Sequence, residues 1–156
     1  MKRDFKTVEY VDLQQFIAKW YVIGGRFTFF EKNAHNPVEE YTWAENKEYI
    51  KVNFYFNEGS FNGKLKTLGQ KAWIENTKTN AHWKIQPFWP LKFNYIVIDL
   101  AEDYSWCVVG VPGETYVWIM SKSWDMSDEQ FEKILQRLDK IGFSTKNIKR
   151  APQRWE

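Results

Sequence analysis

Apolar, β-branched and aromatic residues fall in short runs along most of the chain, each closed by turn residues at fairly even spacing. That pattern predicts consecutive strands. The first is expected from Ala18 to Phe30. "VEEYTWAE" follows Asn36-Pro37. "YIKVNFYF" alternates and ends at Asn57-Glu58-Gly59-Ser60. "KLKTLGQKAWIEN" ends in a polar turn, and "AHWKIQPF" alternates up to Trp89-Pro90. "FNYIVIDL" is almost wholly apolar, "YSWCVVGV" stops at Pro112-Gly113, and "TYVWIMSK" completes the set. About eight strands joined by short turns predict an up-and-down antiparallel β-barrel. A barrel of that size holds one small ligand.

The period then changes. In "SDEQFEKILQRLDKIGF", Phe131, Ile134, Leu135, Leu138 and Ile141 recur at helical spacing. Ser127 is an N-cap with Gln130 in the capping-box position. Asp128 and Glu129 suit the first turn and Lys140 the last, and Gly142 fits the stop. The expected fold class is therefore all-β with one helix: an eight-stranded barrel carrying an amphipathic C-terminal α-helix on its outside. After the helix, "STKNIKRAP" can pair back onto an edge.

Length sets the scale: 156 residues make one domain, 1–156. A net charge of +2 argues against nucleic acid as a partner. There is no apolar run long enough for a transmembrane helix. Aromatic content is 19%, with 9 Trp, which favours a cavity lined with rings. "MKRDFKTVEY" has no apolar segment after its basic residues, so no secretory signal is read in the chain as written. If a signal precedes it, the expected place is the periplasm or outer membrane, with membrane association only through an anchor on that segment. Otherwise it is the cytoplasm.

Residues able to do chemistry are few. Cys107, the one cysteine, lies among apolar neighbours with no base beside it, so it reads as an inert thiol. Alternation counted from Tyr104 places it outward, under the helix. His35 belongs to a polar turn, and His82 faces away from Trp83, so neither suits haem or a metal. Asp99, Glu102 and Asp103 read as turn-capping carboxylates. No catalytic residue, cofactor or metal is expected.

Strands, then a helix, then a short strand, resemble a lipocalin. "AKWY" is similar to the family's first signature segment, with Ala18 where a Gly normally stands. "EDY", Glu102 to Tyr104, resembles the Thr-Asp-Tyr turn of the second. "YVWIMSKS" resembles the third, with Lys122 in place of Arg. "KWYVI", "KVNFYFN" and "WKIQPFWPLKFNYIVIDL" are most similar to the bacterial outer-membrane lipocalins, the group related to apolipoprotein D. The resemblance runs from about Leu13 to Pro152.

The resemblance implies that Trp20 closes the barrel floor and that Lys122 packs over its ring as a barrel-closure residue. Gly24 and Gly25 would let a long first strand bend. With Lys122 beneath the barrel, Tyr116, Trp118 and Met120 share the inward face. Trp83 and Ile85 point inward on strand five, Tyr41 on strand two and Tyr95 on strand six. Hydrophobicity alone turns Ile50, Val52, Phe54 and Phe56 inward on strand three. The family's V-x-N strand turns Asn53 inward instead, and the expectation follows the family, with the helix covering the Phe residues. The predicted ligand-binding set is Tyr41, Asn53, Trp83, Ile85, Tyr95, Tyr116, Trp118 and Met120.

The expected function is binding and carriage of a small hydrophobic ligand, a fatty acid or lysophospholipid, by a monomer or homodimer. Lys32, Lys64, Lys66 and Lys92 read as solvated surface, with an anionic head group as the functional alternative. The rival readings are a lipocalin-fold enzyme (an isomerase or a lipid- or carotenoid-modifying activity), which an inward Cys107 would favour, and a solidly packed structural or interaction domain.

Overall fold

The structure is a computed structural model that describes residues 6–26, 33–113 and 115–155. A short helix α1 (Leu13–Phe16) precedes β1 (Lys19–Arg26), β2 (Ala34–Trp43), β3 (Ile50–Glu58), β4 (Leu65–Ile74), β5 (His82–Phe88), β6 (Leu91–Leu100), β7 (Trp106–Gly110) and β8 (Val117–Ser121). The helix α2 (Asp128–Lys140) and a two-residue β9 (Lys149–Arg150) complete it. Each strand pairs antiparallel with the next, and β8 and β2 both pair with β1, so the eight-stranded barrel closes. β9 adds to β1 at Gly24 and Gly25, so the edge pairing expected of the last segment is present. The part of the strand-one prediction beyond Arg26, through Phe30, lies outside the described residues, as does Lys32.

Two apolar layers hold the molecule. The barrel interior packs Val22, Tyr41, Phe54, Trp83, Tyr95 and Trp118, with many smaller side chains between them. The second layer joins Ile23, Ile96, Ile98, Val108, Val117 and Ile119 to Phe131, Ile134 and Leu138 of α2. Strands β1, β6, β7 and β8 are thus buried on both faces, which is why they read as nearly continuous apolar runs. Ser127 accepts from the Gln130 amide as the helix cap, and Gly142 sits at φ 81°, the left-handed stop. Arg137 anchors the helix with two bonds to Asp99, at 2.8 and 2.9 Å. Ile141, predicted to belong to the apolar stripe, is 38% exposed at the C-cap.

Gly24 has a sharper role than bending. A Cβ there would lie 2.5 Å from the Lys149 carbonyl oxygen and 2.9 Å from the Phe131 ring. Its missing side chain lets β9 and α2 sit against the barrel. The bend itself is a register shift between Val22 and Gly24.

The covering helix explains two corrections. It lies over β6–β8 and β1, not over β3. The Phe face of β3 therefore has only the interior to fill: Ile50, Val52, Phe54 and Phe56 are buried, and Asn53 is exposed on the outer face. The inward placement of Asn53 is wrong, and simple alternation is right. Cys107 also departs from expectation. It pairs with Met120 and packs in the barrel interior. Alternation fails between Tyr104 and Trp106 because Tyr104 takes φ 60° in the turn, resetting the phase before β7 begins.

Candidate functional site

The floor of the barrel is built from rings. Asp12 caps α1 by accepting from the Gln14 amide, and this single turn delivers Phe16 into the barrel. Its ring centroid lies 5.4 Å from Trp20, 5.6 Å from Tyr41 and 5.6 Å from Trp83. The Trp20 indole N–H donates to the Phe16 carbonyl at 2.9 Å. Lys122 Nζ stands 5.0 Å from the Trp20 ring centre and donates to the Gln15 carbonyl at 2.9 Å. A lysine here supplies charge and a carbonyl bond, where a guanidinium would add planar stacking.

Above this floor, Tyr41 and Tyr95 join their hydroxyls in a hydrogen bond. Trp83 packs on Tyr95 at 5.7 Å, and Tyr95 on Trp118 at 6.2 Å. The Tyr41 phenol is pushed well above its ordinary value, first by burial and then by Glu39. Glu39 is absent from the predicted set. It is buried and pairs with Trp20 and Phe54, both interior residues. Counting two back from Tyr41 finds it.

Of the predicted ligand set, Tyr41, Trp83, Ile85, Tyr95, Trp118 and Met120 converge in the interior, and Tyr116 packs against them half-buried. Trp83, Met120, Tyr41 and Tyr95 are exposed by 2% or less, whereas Ile85 and Trp118 reach 7% and 8%. Higher up, solvent enters. Leu68 pairs with Phe54, and Phe93 with Ile85, so both face inward, yet they are 40% and 43% exposed. An inward apolar side chain in contact with water marks an open chamber above the packed rings. Neither residue is in the predicted set, although alternation on β4 and β6 supplies both.

Cys107 points inward, the placement that would favour the enzyme reading, but its surroundings disfavour a thiolate. It is buried, and desolvation, followed by the Glu39 charge, lifts its thiol well above the ordinary value despite an opposing contribution from Lys122. Such a thiol holds its proton. The His82 ring bonds Asn94 at 2.9 Å, and His35 stacks edge-on with Phe61 at 5.1 Å. Asp103 caps the Ser105 amide at 3.0 Å. Among the described residues no group of three or more His, Cys, Asp or Glu comes together as a metal site, and no helix is long and apolar enough to cross a membrane.

A closed eight-stranded barrel with an aromatic floor, an apolar chamber and one covering helix defines a calycin-type binding barrel. Comparison with known proteins makes this specific: residues 11–153 match the lipocalin-like domain, and the chain belongs to that family. It is 25% identical over 149 residues to the outer membrane lipoprotein Blc of Vibrio cholerae, covering 95% of this chain and 86% of that one. Temperature-induced lipocalin-1 of Arabidopsis thaliana is 22% identical, covering 97% and 84%. Among solved structures, insecticyanin of the tobacco hornworm superposes with a TM-score of 0.71 at 18% identity, over 99% of this chain and 86% of that one. The cockroach allergen Per a 4 gives 0.71 at 16%, over 97% and 94%. Family membership and the outer-membrane relatives support binding of a small hydrophobic ligand.

Proposed function

We propose that the protein binds and carries a single-chain amphiphile, a fatty acid or a lysophospholipid, without catalysing a reaction on it. The observation that carries this reading is the exposure of inward-facing Leu68 and Phe93 above buried rings. An acyl chain there would rest against Phe54, Ile85, Tyr116 and Trp118, with Tyr41, Trp83, Tyr95 and Met120 beneath it. Each buried methylene contributes about 0.8 kcal/mol, so a chain of about sixteen gains roughly 13 kcal/mol, which leaves micromolar affinity after about 5 kcal/mol of ordering costs. An envelope location, in the periplasm or at the outer membrane, fits relatives named as outer membrane lipoproteins.

The test is a fluorescence titration of delipidated protein with a fluorescent fatty acid. Micromolar or tighter binding with quenched Trp emission is expected, and Trp118→Asp should abolish it. Binding that survives unchanged in the variant would place the ligand elsewhere.

A further inference from the structure

The barrel wall is not continuous. β4 pairs with β3 from Leu65 to Ala72, but with β5 only from Lys71 to Ile74. Beyond the Lys71–Gln86 pair, towards the open end, the two strands part. A groove of about 680 Å³ lies at this parting, bounded by Gly69, Gln70 and Lys71 on one side and Gln86, Pro87, Phe88 and Trp89 on the other. Its lining is mostly on the outer face of the wall, at the point where the pairing stops. Register puts Lys51, Asn53, Gly69, Lys71 and Gln86 on the outer face, and Val52 and Gln70 on the inner. The inward Leu68, one residue from Gly69, is the exposed side chain that marks the chamber within.

We infer that the head group of a bound single-chain amphiphile leaves the barrel sideways through this parting and lies in the outer groove. A zwitterionic phosphate ester is the matching chemistry. This rests on the carrier reading proposed above. Lys51 and Lys71 supply cations for a phosphate, and Lys71 is held 4.9 Å from the Tyr49 ring centre. Glu40, Phe88 and Trp89 line the same groove, and a carboxylate with aromatic faces suits a quaternary ammonium. Trp89 is 83% exposed and Phe88 61%, so both rings are available. The groove floor is flat because Gly69 has no side chain, and a Cβ there would meet nothing within 4 Å. A peptide strand added between the parted edges is the less suited occupant, because Pro87 removes a backbone donor from one of them.

The test uses the whole chain, isotope-labelled, with lysophosphatidylcholine carrying a nitroxide on its choline. Selective broadening of the Gly69, Lys71 and Gln86 amides is expected, with Gly59 and Gly113 at the neighbouring hairpin tips staying sharp. Broadening at Gly59 and Gly113 with Gly69 sharp would send the head group out through the open end and overturn the inference. Oleate binding without lysophosphatidylcholine binding would also overturn it, while leaving the carrier reading intact. Failure of both ligands would remove the carrier reading itself. Gly69→Tyr gives an independent check, since it fills the groove without backbone strain. Lysophosphatidylcholine affinity should fall by about tenfold while oleate stays within about twofold. Equal losses, or none, would contradict the assignment.

Discussion

The two sides of the barrel solve opposite problems. The wall of β6, β7, β8 and β1 is sandwiched between the interior and α2, and its strands are apolar on both faces. The wall of β3, β4 and β5 has water outside, and between β4 and β5 its pairing stops at Lys71 and Gln86. One side is a two-layer core. The other is a single sheet with a gap. Only the second side is suited to admit a ligand: an opening in the double-layered wall would expose apolar surface on two faces, whereas the single wall already presents polar side chains to water.

Cutting one side chain on each side of the barrel tests that contrast most severely. Ile134→Ala, at a fully buried position where α2 packs onto the double-layered wall, should cost about 3 kcal/mol in unfolding free energy and leave fatty-acid affinity unchanged. Leu68→Ala, on the open wall, should cost less than about 1 kcal/mol and weaken fatty-acid binding. Urea unfolding and ligand titration on both variants read the two effects. Equal costs would mean that the walls are packed alike.

Alkaline pH probes the packed interior that both walls share. Burial raises the Tyr41 phenol above its ordinary 10.0 and the Cys107 thiol above its ordinary 9.0. The folded state then keeps protons that the unfolded chain has lost. Stability is fully present below those ordinary values and falls as pH rises above them towards the folded values. Unfolding midpoints at about pH 8 and about pH 10.5 should show that decline, and Cys107→Ala should soften it. Thiol labelling at neutral pH should be slow, and its rate should track global unfolding. Fast labelling that a fatty acid blocks would put Cys107 against the ligand and reopen a catalytic reading.

Closure beneath the floor is the smallest lever. Lys122→Arg should add about 0.5–1 kcal/mol through better stacking on Trp20. A loss would mean that the bond from Lys122 to the Gln15 carbonyl matters more than the ring contact.

Much of this is legible in the sequence. The continuous apolar runs of β6 to β8 and the helical stripe of α2 specify the double-layered side, and period-two alternation on β3 and β5 specifies the single-layered one. The errors have local causes. Family analogy turns Asn53 inward against its own strand's alternation. Which of the two wins depends on where the helix sits, and no local pattern states that. Counting from Tyr104 misphases Cys107 because the positive φ at Tyr104 resets alternation inside a turn. α1 escapes notice because a single turn carries almost no periodic signal. The gap between β4 and β5 leaves no mark either, because strand pairing is a long-range property of two segments and neither one shows it alone.

Amide hydrogen exchange on the delipidated protein and on its fatty-acid complex separates the two walls directly. Amides of β6 to β8 and β1 should exchange slowly in both states. Within Leu65 to Gln70 of β4, the alternate amides that face the parting instead of β3 should exchange fast when empty and gain protection selectively on binding. Uniform protection around the empty barrel, or a ligand effect centred on the helix-covered strands, would contradict the division into a fixed wall and an admitting one.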